Sequence, residues 1–154
     1  MNKRVIILLI FVNLLTQCGF TPVHFKKNNI DFSITSIKFS GDKTINRYLK
    51  SNLNNFINDD HLKKFQIEIN TKYEKNIISK DKSSKITDYQ LICTTFFKVN
   101  YNDLVKTFSI SEKKSMNNIN DKFEEQKYER TIKQNFASTT SNKLTSELAL
   151  LNDN

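Results

Sequence analysis

Tryptophan is missing from this sequence, and proline and glycine nearly so, at one and two residues. Two glycines cannot build a phosphate-cradling loop, and neither a nucleophile elbow nor a paired-cysteine zinc pattern occurs. Histidine is limited to His24 and His61, which leaves no catalytic constellation. Asp59-Asp60-His61 offers oxygen and nitrogen donors, but successive positions point in different directions, so the triplet reads as a solvated helix end. No cofactor, no metal and no enzymatic activity are expected. Arginine is confined to positions 4, 47 and 130, so the cationic chemistry is that of lysine point charges, with few bidentate forks.

What is present is apolar material without disulfide staples. Hydrophobic residues make up 38% of the 154 residues, charged residues 26%, and there are 12 Phe and 5 Tyr, enough for one domain with a real core. The formal charge is +8, falling by two to +6 if Lys3 and Arg4 are removed with a leader. Such a balance suits an anionic partner, whether nucleic acid, lipid head groups or lipid A phosphates, and equally suits a solubilising surface.

Residues 1–17 read as a lipoprotein signal peptide. Lys3 and Arg4 precede an apolar stretch over residues 5–15 broken only by Asn13, and Thr16-Gln17-Cys18 follows. Eleven helical residues span roughly 16 Å, about half the hydrocarbon thickness of a bilayer. A short apolar core behind a positive start, with Cys directly after it, marks export and lipidation at Cys18. Leu15-Thr16-Gln17-Cys18 resembles a lipobox, with Gln17 larger than the usual Gly, Ala or Ser before the cysteine. Gly19 in place of Asp directs the product to the outer membrane in bacteria of the enteric type. Export also removes nucleic acid as a partner. With Cys18 acylated, Cys93 is the remaining thiol and reads as a small buried hydrophobe.

Residues 18–31, with Pro22 and Lys26-Lys27-Asn28-Asn29, read as a lipidated tether, and residues 32–154 as a single α+β domain. Phe32, Ile34, Ile37 and Phe39 outline a first strand whose phase shift implies a bulge. Ile45, Leu49, Leu53 and Phe56 recur at helical spacing behind an Asp42 cap, which predicts a helix over 43–58. From Phe65 the period becomes two, with Ile67, Ile69, Thr71 and Tyr73 on one face. A polar turn over residues 80–85 leads to a strand with Leu91, Cys93, Thr95, Phe97 and Val99 in phase, and a hairpin at 100–103 leads to a fourth strand over 104–111. Residues 116–121 read as loop. Asp121 and Glu124 resemble a capping box ahead of a helix over 121–151, whose inward stripe is Tyr128, Ile132, Phe136, Leu144, Leu148 and Leu151. The order β-α-β-β-β-α predicts a two-layer α+β fold, a four-stranded mostly antiparallel sheet packed on one face by two helices.

Cys18-Gly19-Phe20-Thr21-Pro22, with the layout that follows and the terminal Asn142-Lys143-Leu144-Thr145-Ser146-Glu147-Leu148, resembles the LPS-assembly lipoprotein LptE family. The resemblance implies a non-enzymatic lipoprotein on the periplasmic side of the outer membrane. Its implied partners are lipopolysaccharide and the LptD-type β-barrel, which such proteins plug while helping to deliver lipopolysaccharide to the outer leaflet. A structural subunit of another envelope assembly machine is the competing reading. Within the family reading, Lys80, Lys82 and Lys85 at the hairpin tip are candidates for lipopolysaccharide contact, against the simpler reading of a solvated turn.

Overall fold

The computed structural model describes residues 32–58 and 61–151. The leader, Cys18, the tether with His24, and the Asp59-Asp60 pair lie outside the described residues. Strands β1 (Phe32–Gly41), β2 (Lys63–Lys80), β3 (Ile86–Tyr101) and β4 (Leu104–Asn117) form one sheet in the order β1-β2-β3-β4. Helix α1 (Lys43–Leu53) lies between β1 and β2, and helix α2 (Lys122–Leu150) follows β4. The crossover through α1 makes β1 and β2 parallel, while the β2-β3 and β3-β4 pairs are antiparallel. The predicted α+β architecture is the one observed.

Each boundary has a local cause. In β1 the register shifts between Ile34 and Ser36, so Phe32 and Ile34 point inward and Ile37 and Phe39 recover the same face beyond the bulge. Gly41 leaves the strand at φ +91, and the Asp42 carboxylate caps α1 by accepting from the amides of Thr44 and Ile45. Asp121 likewise caps α2 through the amides of Phe123 and Glu124. Glu124 itself pairs with Lys127. One core unites Phe65, Ile67, Ile69, Leu91 and Phe97 of the sheet with Leu49, Leu53, Ile132 and Leu148 of the helices, all at most 3% exposed. The opposite sheet face is left open.

Four expectations are corrected. Helix α1 ends at Leu53 and tightens into a single 3₁₀ turn, Asn54–Phe56, because Phe56 turns to stack on Phe32 at 5.9 Å. Met116, expected in a loop, is 1% exposed on β4 opposite Tyr89, since that strand continues to Asn117. Tyr128, expected inward on α2, is 44% exposed, and the buried position of its turn belongs to Glu125 at 4%. Lys80 belongs to β2 rather than to the turn, which spans residues 81–85.

Candidate functional site

The three candidate lysines come together at the tip of the β2-β3 hairpin, where all are exposed. Their backbone is set by Asp81, whose Oδ1 accepts from the Ser83 amide at 2.9 Å, the Ser83 hydroxyl at 2.7 Å and the Lys85 amide at 2.9 Å. The Ser83 hydroxyl, followed by the Lys85 amide, holds the Asp81 carboxyl below its ordinary range. Two backbone bonds, Ser84 N–H to Asp81 O and Asp81 N–H to Lys85 O, close the turn with Ser84 at φ 64. Lys85 Nζ donates to Asn120 Oδ1 at 3.3 Å, next to the start of α2. The tip therefore presents three cations around one hydrogen-bonded carboxylate on an ordered turn. It lies a full β2 strand from Phe32, and that strand's 18 residues correspond to roughly 55 Å at the usual rise.

A second feature escaped the sequence reading. The open sheet face carries a groove of about 660 Å³ crossing all four strands, with Lys38, Glu68, Asn70, Phe96, Lys98 and Thr107 among its lining. Lys98 and Glu68 face each other at 3.8 Å, and the Phe96 ring is 49% exposed beside them. The signal for this groove was Phe96, an aromatic in the polar phase of β3 between Thr94 and Lys98. A phenyl face flanked by lysines on an open sheet can take an amphipathic ligand, apolar on one part and anionic on another.

Beneath the helices a chain of charges ties the two layers. Lys75 pairs with Glu125 at 2.6 Å and Glu129 at 2.9 Å, Lys122 pairs with Glu125, and Tyr73 Oη donates to Glu129 at 2.8 Å. Lys133 bonds Asp42 at 3.0 Å and lies 3.8 Å from the Tyr73 ring centroid. The Lys122 and Lys75 ammoniums hold the Glu125 carboxyl low, whereas burial and then Glu129 push the Tyr73 phenol up. Each charge has an opposite partner, so the network reads as structural. Cys93 is fully buried, burial raises its thiol pKa, and its sulfur lies 3.7 Å from Thr95 Oγ1. Among the described residues no group of three His, Cys, Asp or Glu side chains could hold a metal, and no helix is long and apolar enough to cross a membrane.

A mixed four-stranded sheet covered by two helices on one face, with a groove on the other, defines a two-layer α+β domain. This fold is shared with LptE-like lipoproteins. Rare lipoprotein B from Shewanella oneidensis superposes with a TM-score of 0.55 at 15% identity, covering 76% of this chain and 98% of that one. Lipoprotein B from Nitrosomonas europaea gives 0.53 at 11% identity, covering 80% and 90%. Neither a protein-family model nor a curated protein matches the sequence.

Proposed function

We propose that this chain is an outer-membrane lipoprotein, acylated at Cys18, that seats in an LptD-type β-barrel and assists lipopolysaccharide delivery to the outer leaflet. The observation that carries this reading is the shared fold, which extends over 98% of rare lipoprotein B. It agrees with the lipobox-like Leu15-Thr16-Gln17-Cys18 and the Cys-Gly-Phe start that follows. A domain of this size fits within a wide barrel lumen. The exposed lysines of the hairpin tip supply charge-assisted donors for lipid A phosphates. No catalysis is needed for such a role.

Co-purification from membranes in mild detergent tests the proposal. A stoichiometric large β-barrel together with lipopolysaccharide is the expected recovery. Recovery of a different envelope complex, without that barrel, overturns it in favour of the structural-subunit reading.

A further inference from the structure

The strand registers align two rows of side chains across the open face of the sheet. Lys38, Glu68, Lys98 and Thr107 stand side by side in one row. Ser40, Asn70, Phe96 and Ser109 stand in the next. Both rows line the groove of about 660 Å³, a size within the roughly 300 to 1,000 Å³ of small-ligand clefts. The rows are two residues apart, roughly 7 Å, and extend over three strand spacings, roughly 14 Å. The groove is thus a trough running across the strands, with one charged wall and one neutral wall. On the neutral wall the Phe96 ring is 49% exposed. Among the described residues no other ring stacks on it and no cation lies over it. Lys98 is turned toward Glu68 at 3.8 Å, whereas the exposed Lys38 ammonium and Asn70 amide have no side-chain partner among the described residues.

We propose that this trough is a glycan site, for a sugar ring that carries a carboxylate or phosphate. A pyranose has an apolar C–H face and a rim of hydroxyls. The exposed phenyl ring can take the C–H face by stacking, and Asn70, Thr107 and Ser109 meet the hydroxyl rim with donors and acceptors. The Lys38 ammonium supplies a charge-assisted donor for the acid group. Other ligands leave these groups unused. An acyl chain would take Lys38, Glu68 and Asn70 out of water without giving them partners. An extended peptide finds no free backbone at the centre of the trough, because β2 and β3 are already bonded on both edges. The trough is also separate from the lysine tip: ten steps of β2 lie between Asn70 and Lys80, roughly 33 Å at the usual rise. It requires neither the barrel nor the Cys18 lipid of the preceding proposal.

Saturation-transfer NMR tests the assignment on the full chain, held in a detergent whose head group contains neither sugar nor phosphate. The probes are N-acetylglucosamine 1-phosphate, N-acetylglucosamine and inorganic phosphate. The sugar phosphate should bind more tightly than the neutral sugar, with saturation strongest at its ring C–H protons, and inorganic phosphate should displace it only weakly. Phe96→Ala should weaken binding on the order of five- to tenfold, and Phe96→Trp should retain it. Lys38→Gln should erase the preference for the sugar phosphate over the neutral sugar. Both side chains are exposed, so thermal melts should match the parent protein. Binding unaltered by Phe96→Ala, or a preference unaltered by Lys38→Gln, overturns the proposal. Full displacement by equimolar phosphate overturns it as well, since the contact is then with the anion alone. So does uridine monophosphate binding as tightly as the sugar phosphate, which would give the phenyl ring to a base. Replacing Lys80, Lys82 and Lys85 with Ser should leave sugar binding intact, and a loss there would move the site to the tip. No barrel enters this experiment, so its failure and that of the preceding proposal are read separately.

Discussion

The Lys133 ammonium of α2 lies 3.0 Å from Oδ2 of Asp42, the residue whose other carboxylate oxygen caps α1. One carboxylate thus starts the first helix and ties it to the second, with both side chains under 20% exposed. Asp42→Ala should therefore lose a cap and strand a half-buried cation, a cost of about 2 to 4 kcal/mol. Asp42→Asn keeps the cap and should cost less. Urea unfolding of the two variants measures the difference, and equal losses would mean that the cap contributes nothing beyond the ion pair.

The same network sets the pH response. At Asp42 burial pushes the pKa up, but the bonds from Ile45 and Lys133 outweigh it, and the net shift is below the ordinary 3.8. Glu125 falls below its ordinary 4.5 through Lys122 and Lys75. Depressed carboxylates contribute stability that is present above their unfolded pKa and lost as pH falls through the folded one, so an acid loss should begin near pH 4. Burial lowers Lys75, but Glu125 and Glu129 more than reverse it, and Tyr73 is raised above 10.0. Raised groups stabilise below their unfolded pKa and cease to do so above it, so stability should also fall beyond about pH 10. Urea midpoints across pH should show both limbs, and Lys75→Met should flatten the acid one.

Gly41 allows the tight passage from β1 into the Asp42 cap. At φ +91 a Cβ there would lie 1.9 Å from the Thr71 carbonyl oxygen, which itself accepts from the Asp42 amide at 3.0 Å. Gly41→Ala should cost at least about 2 kcal/mol, since backbone must move. A thermal melt unchanged from the parent would refute this.

Leu91 is fully buried on the inner face of β3, whereas Gln90 points to the open face. Leu91→Ala should cost about 2 to 5 kcal/mol, and Gln90→Ala no more than about 0.5 kcal/mol. Denaturant melts giving the reverse order would reverse the strand face.

Replacing Lys80, Lys82 and Lys85 together with Ser should weaken lipopolysaccharide binding and flatten its salt dependence. Thermal stability and barrel co-purification should stay unchanged, because the three side chains are exposed and the Lys85–Asn120 bond is a surface contact. Unaltered binding by the triple variant would remove the tip as a site.

Local chemistry was legible along the chain wherever a residue's role depends on near neighbours. The Asp42 and Asp121 caps, the β1 bulge and the inward set Phe65, Ile67, Ile69, Leu91 and Phe97 follow from period and capping alone. Tertiary structure decided the positions that sequence period misassigns. Met116 looked like loop because Glu112, Lys113 and Lys114 interrupt the apolar alternation ahead of it, yet Glu112 occupies an inward position by pairing with Lys143 of α2. Glu125 displaced Tyr128 from the helix stripe because Lys75, 50 residues earlier in the chain, meets it from β2. The groove around Phe96 exists only once four strands are side by side. A carboxylate can enter the interior only where an ammonium is already waiting, and that partner is supplied by the fold, not by the neighbouring sequence.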